Sequence, residues 1–128
     1  MDYTLTIAQR PGYLHAVVTG QNNSTTVARY MEDIMRECAA RGVLRVLIEE
    51  HLQGPRLGMM EVFSLVSKGS VRFQRALEAM AYVDANAEGD MMRFAEDVAV
   101  NRGFPVRIFN TVAAAEEWLT EDDPGGPA

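Results

Sequence analysis

Residues 79–119, AMAYVDANAEGDMMRFAEDVAVNRGFPVRIFNTVAAAEEWL, alternate short apolar runs with amphipathic segments. The apolar runs predict strands over Ala79–Ala85 and Pro105–Phe109, and the periodic segments predict helices over Asp90–Arg102 and Val112–Leu119. Strands that alternate with helices at this spacing are typical of βα units on a largely parallel sheet. In such sheets a ligand binds outside the carboxyl ends of the strands, so this stretch also predicts where a site would lie.

The N-terminal half adds an antiparallel pair and a further βα unit. Tyr3–Ala8 and Tyr13–Thr19 read as strands joined by a Pro-Gly turn, and Val43–Ile48 reads as an interior parallel strand. The helix between them is predicted to be capped by Ser24, Thr25 or Thr26 and closed by Gly42. Its apolar stripe consists of Val27, Tyr30, Met31, Ile34, Met35 and Cys38.

The central stretch is predicted to be less regular. Glu49–Leu57 reads as a loop, and Met59–Val66 reads as a helix that Gly69 interrupts before a further turn from Ser70. The fold class is therefore α/β, with a five-stranded mixed sheet that is mostly parallel, an antiparallel first strand and about four covering helices. Residues 1–119 are expected to form one domain, and residues 120–128 a disordered acidic tail.

The composition restricts the function classes. The chain of 128 residues carries a net charge of −6 and no basic run, which disfavours nucleic acid because neutralisation of phosphates drives that binding. Its single cysteine can form no internal disulfide, and no apolar run is long enough to span a membrane. Since the N-terminus has no signal-peptide pattern, we expect a cytoplasmic protein without integral membrane association.

The order ββαβαβαβα resembles the STAS and SpoIIAA-like domains, whose fold is related to the lipid-binding Sec14 (CRAL-TRIO) type. The resemblance rests on Val43–Ile48 ending in Glu49, on Ala81–Asp84, and on Phe94–Gly103 followed by Val106–Phe109 and Ala114–Leu119. STAS antagonists of anti-sigma factors carry a phosphorylatable serine after the third strand, but Glu49–Leu57 contains no Ser or Thr. The resemblance therefore implies a branch that binds a ligand or a partner without this phosphorylation switch. A regulator controlled by phosphorylation is a further alternative, for which Ser70 is the remaining serine at a predicted helix start.

The segment Met59–Val66 is the main candidate for binding, because it is apolar almost all round. Such a helix is either fully buried or covered by a partner, and methionines suit adaptable contact surfaces. We expect a non-enzymatic module, a homodimer, that binds a partner protein or a small apolar, lipid-like ligand and needs no cofactor or metal. The candidate contact residues are Tyr30, Leu57, Met59, Met60, Phe63, Val66 and His51.

An enzymatic alternative depends on His51. It follows Glu49 and Glu50 at the predicted end of a strand, and Asp84 at the end of the next strand could face it. A histidine with carboxylates can hold a metal or transfer protons. Burial of His51 in a concave pocket would favour this alternative, whereas an exposed His51 would disfavour it.

Overall fold

The computed structural model describes residues 3–54, 58–73, 76–84 and 89–120. Within these ranges it contains five strands and four helices around one mixed sheet, which confirms the predicted α/β class. The elements are β1 (Tyr3–Arg10), β2 (Tyr13–Gln21), α1 (Ser24–Arg41), β3 (Arg45–Gln53), α2 (Met59–Phe73), β4 (Ala79–Val83), α3 (Gly89–Asn101), β5 (Val106–Phe109) and α4 (Val112–Leu119).

The strands lie in the sheet in the order of the chain, β1-β2-β3-β4-β5. β1 pairs with β2 antiparallel and the other pairs are parallel, so the prediction for the first strand is confirmed. Strands β1 and β5 are therefore the two edges of the sheet. The carboxyl ends of β2, β3, β4 and β5 meet at one end of the sheet, because these four strands are parallel.

The buried side chains form two layers, one on each face of the sheet. On one face Ile48 and Met80 pack with Ile34 of α1 and Ala99 of α3. Helix α2 packs against α1 and α3 on this side. On the other face Leu47 and its neighbours pack with Ala115 and Leu119 of α4. We call these the α1 face and the α4 face.

Helix α4 packs against β3, β4 and β5. On the α4 face of β1 and β2, the side chains of Thr4, Thr6 and Thr19 are exposed. The region around these threonines is called the open part of the α4 face below.

The two largest differences from the predicted element boundaries are at the end of β3 and at the end of α2. Residues Glu49–Gln53 continue β3 instead of forming a loop, because β2 runs beside them and the parallel register extends to Gln21 opposite Gln53. Helix α2 continues through Gly69 to Phe73, since a glycine inside a helix costs only about 1 kcal/mol and packing against two helices outweighs it.

The ends of α1 show one correction and one confirmation. The predicted caps Ser24, Thr25 and Thr26 are wrong: Asn23 is the N-cap, and its side chain accepts a hydrogen bond of 2.8 Å from the Thr26 N–H. Gly42 ends the helix as predicted, with a φ of 66° that favours glycine. Helix α3 begins at Gly89, one residue before the predicted start, and α4 has its predicted bounds.

Candidate functional site

The polar end of β3 is divided between the two faces of the sheet. Side chains alternate along a strand, and Leu47 belongs to the α4 face while Ile48 belongs to the α1 face. Glu49 and His51 therefore lie on the α4 face, and Glu50 lies on the α1 face. The sequence grouped these three residues as one site, whereas the strand separates Glu50 from the other two.

On the α1 face Glu50 joins two tyrosines in a partly buried polar cluster. The hydroxyls of Tyr30 and Tyr82 both donate to Oε2 of Glu50, and the two hydroxyl oxygens are 2.7 Å apart. Tyr30 belongs to the apolar stripe of α1 and is fully buried. We call Tyr30, Glu50 and Tyr82 the tyrosine–carboxylate cluster.

The environment keeps both phenols protonated. Burial first, and then the charge of Glu50, raise the pKa of Tyr30 well above its ordinary value. Burial also raises the pKa of Tyr82, followed by its interactions with Tyr30 and Glu50. Asp84, buried after β4, adds to the rise at Tyr30, and its backbone N–H donates to the Phe109 carbonyl at 3.0 Å. The cluster thus ties α1 to β3 and β4 through neutral hydroxyl donors.

On the α4 face Glu49 lies between two histidines. Nε2 of His15 is 3.0 Å from Oε1 of Glu49, and Nε2 of His51 is 2.6 Å from Oε2, so each oxygen accepts one hydrogen bond. The side chain of His51 is 49% exposed and that of His15 is 13% exposed. We call these three residues the histidine–carboxylate cluster. Within the described ranges no group of three or more His, Cys, Asp or Glu residues is arranged to hold a metal ion.

The two histidines lower the pKa of Glu49. The hydrogen bond from His51 makes the largest contribution, burial opposes it, and the bond from His15 adds to the lowering. A carboxyl whose pKa is lower in the folded than in the unfolded chain stabilises the fold above its unfolded pKa of about 4.3. This stabilisation is lost as the pH falls through the lowered folded value.

Glu49→Gln is therefore expected to reduce the free energy of unfolding at pH 7, and the difference from the wild type should shrink as the pH falls below about 4. Urea denaturation at a series of pH values measures this difference. Glu117→Gln, at an exposed position of α4, is the matched control. A difference that stays constant down to pH 3 would contradict the pairing of Glu49 with the two imidazoles.

A third feature is apolar and lies at the start of α2. Met60 is 78% exposed and Phe63, one turn later, is 37% exposed. The Phe63 ring lies beside Phe94 of α3, with 6.3 Å between the ring centroids, and the Arg102 guanidinium carbon is 5.3 Å from the Phe63 centroid. We call Met60, Phe63, Phe94 and Arg102 the α2 surface.

The predicted contact residues lie in several environments. Met60 and Phe63 stand three positions apart on one exposed side of α2, whereas Val66 is half-buried and packs against the core of the α1 face. Tyr30 is fully buried, and His51 lies on the opposite face of the sheet. Met59 begins α2, and Leu57 lies outside the described residues.

The sequence reasoning missed two site residues, His15 and Tyr82. His15 stood alone among apolar neighbours in the sequence, and Tyr82 stood inside an apolar strand. Their partners Glu49 and Glu50 are more than thirty residues away in the chain, so no local spacing connects them.

Comparison with known proteins does not identify the chain: no protein-family model matches it, and no curated protein matches it. In the part of the chain that the structure describes, no helix has both the length and the apolar character needed to cross a membrane.

Proposed function

We propose that this chain is a non-enzymatic binding module that contacts a partner protein through the α2 surface. The observation that carries the proposal is the 78% exposure of Met60 at the start of a helix whose next turn exposes Phe63. Isolated apolar residues on a surface are ordinary, but here an exposed methionine and an aromatic ring of α2 are grouped with an arginine that directly follows α3.

The chemistry of the α2 surface suits a protein contact. Aromatic residues, methionine and arginine are enriched in protein interfaces, and methionine adapts its shape to the surface opposite. Burial of a side chain such as Met60 contributes about 1.5–3 kcal/mol. Phe63 is held between Phe94 and Arg102, so less conformational freedom is lost when it is covered.

The exposure of Met60 favours a protein over a small apolar ligand. Small-molecule sites are concave and enclose most of the ligand surface. A side chain with more than three quarters of its surface in solvent does not line such an enclosure, whereas it can insert into a pocket of another protein. The location also fits, since α2 follows β3 and begins near the carboxyl ends of the parallel strands.

The fold is consistent with the proposed resemblance to STAS and SpoIIAA-like domains. The element order ββαβαβαβα is the order that this resemblance implies, which supports the resemblance at the level of fold. Cys38 is buried, and burial raises its pKa to about 11, so the thiol is unreactive. A free buried thiol suits a reducing compartment, which supports the proposal of a cytoplasmic protein.

Site-specific photocrosslinking tests the α2 surface. With a benzophenone amino acid at position 60, we expect irradiation of the source cells to join the chain to one partner protein, because a covered Met60 lies in the interface. The same amino acid at position 113, which is exposed on α4, is the control. Equal crosslinking from both positions, or none from position 60 in a folded and expressed chain, would contradict the proposal.

A further inference from the structure

Strand β1 is an edge strand without the usual protection against pairing. Charged residues, proline, bulges or a short length normally prevent an edge strand from pairing with a strand of another chain. β1 has eight residues, and its stretch Tyr3–Gln9 contains no charge and no proline. The opposite edge, β5, has only four residues, carries the exposed Arg107 and follows Pro105.

The backbone of β1 offers a regular row of free hydrogen-bonding groups. Arg10 and Tyr13 close a two-residue turn, so they form a hydrogen-bonded pair, and such pairs alternate along an antiparallel ladder. The N–H and C=O groups of Tyr3, Leu5, Ile7 and Gln9 therefore point away from β2. In residues 3–54, 58–73, 76–84 and 89–120 β2 is the one strand paired with β1, so no strand lies on this outward side.

We propose that β1 pairs antiparallel with β1 of a second copy of this chain, about a two-fold axis at Thr6. A symmetric antiparallel pair requires the outward residues to lie at equal distances on both sides of the axis. About Thr6, Leu5 comes opposite Ile7 and Tyr3 comes opposite Gln9. A two-fold axis at Thr4 or Ala8 would leave outward groups unmatched, so Thr6 is the centre that pairs all four residues.

The side chains also suit this register. Leu5 and Ile7 are half-buried on the α1 face, so each pair places apolar surface against apolar surface and extends the core across the axis. Thr6 is exposed on the α4 face, where the two copies of this residue would be direct neighbours without mutual backbone hydrogen bonds. The sheets of both copies then become one continuous sheet.

Charge does not oppose the approach of a second copy at this edge, although the chain has a net charge of −6. Helix α1 lies beside β1 and carries three arginines and three acidic residues, so its side chains have no net charge. Arg36 pairs with Asp33 at 3.2 Å, and Arg41 pairs with Glu37 at 3.0 Å. Asp33 also accepts a hydrogen bond from the Tyr3 hydroxyl, which holds the helix on the strand. The inference is independent of the proposed function, because the β1 edge and the α2 surface are separate parts of the molecule.

A charge-swap experiment tests the two-fold axis. We expect the wild type to be a dimer by sedimentation at micromolar concentration. Thr6→Lys and Thr6→Glu should each weaken the dimer on the order of tenfold or more, because like charges would stand directly opposite each other. An equimolar mixture of the two variants should form a heterodimer, which native mass spectrometry distinguishes from either homodimer.

Thr19→Lys is the matched control, since Thr19 is exposed on the same open part of the α4 face but lies on β2, one strand from the edge. It should remain a dimer, and circular dichroism should show that all variants are folded. A monomeric wild type would overturn the inference, as would a Thr6→Lys variant that stays fully dimeric or a mixture that forms no heterodimer. A dimer that is lost with Met60→Glu but kept with Thr6→Lys would place the second copy on the α2 surface instead.

Discussion

Tyr30→Ala is expected to lower the free energy of unfolding by about 3–5 kcal/mol, the range for removing a large buried aromatic side chain. Tyr30 is fully buried between α1 and the sheet, so the substitution leaves a cavity in the core of the α1 face. It also removes one hydroxyl donor from Glu50. Since single domains are stable by only about 5–15 kcal/mol, this change removes a large share of the total.

Tyr30→Phe separates the contribution of the hydroxyl to stability from that of the ring. It keeps the packing but removes the donor, and we expect a loss of about 1–3 kcal/mol, because Glu50 and Tyr82 lose a hydrogen-bond partner in a partly buried environment. Tyr3→Phe, which removes a hydroxyl from the half-buried pair with Asp33, is the control and should cost less. Equal stability of Tyr30→Phe and the wild type in urea denaturation would show that the tyrosine–carboxylate cluster does not stabilise the fold.

Met60→Glu is expected to weaken partner binding by about 2 kcal/mol or more, which is roughly thirtyfold in Kd. The substitution would place a carboxylate in the centre of the proposed contact, where it would lose its hydration without gaining an opposite charge. The free energy of unfolding should change by less than about 0.5 kcal/mol, because Met60 is 78% exposed in the free protein.

The matched control for Met60→Glu is Ala113→Glu. It introduces the same charge at an exposed position of α4, on the opposite face of the sheet. Once the crosslinked partner is known, titration calorimetry of the two variants gives both affinities. Similar losses of affinity in both variants would indicate a general effect of charge and would contradict a contact at Met60.

The C-terminal βα units could be predicted from the sequence because their signals are local. The run Met80–Val83 and the periodic residues of α4 each identify an element without knowledge of its neighbours. The extension of β3 could not be predicted in the same way. Residues Glu49–Gln53 are mostly polar, and they form a strand because β2 supplies backbone partners as far as Gln21.

The interpretation of Glu49–Leu57 as a loop also hid the arrangement of the site. In a loop, Glu49, Glu50 and His51 could all be placed together. Once β3 is extended, alternation along the strand separates Glu50 from the other two. The sequence placed Tyr30 on an apolar stripe and among the candidate contact residues, but it did not connect Tyr30 with Glu50. The hydroxyl of Tyr30 finds its partners on β3 and β4, which are distant in the chain.

Two of the four residues of the α2 surface, Met60 and Phe63, are among the contact residues that the sequence predicts. An apolar helix of methionines and a phenylalanine indicated either burial or a partner, and the exposure of Met60 favours a partner. The segment could not show which side of the helix faces outward, since that depends on how α2 packs against α1 and α3.

The most direct test of the central proposal is the native mass of the tagged chain purified gently from its source cells, measured for the wild type beside Met60→Glu and Ala113→Glu. The proposal predicts a complex that carries the mass of a partner protein in the wild type and in Ala113→Glu, and the loss of that mass in Met60→Glu. The same complex in all three samples, or no added protein in the wild type, would contradict a binding function of the α2 surface.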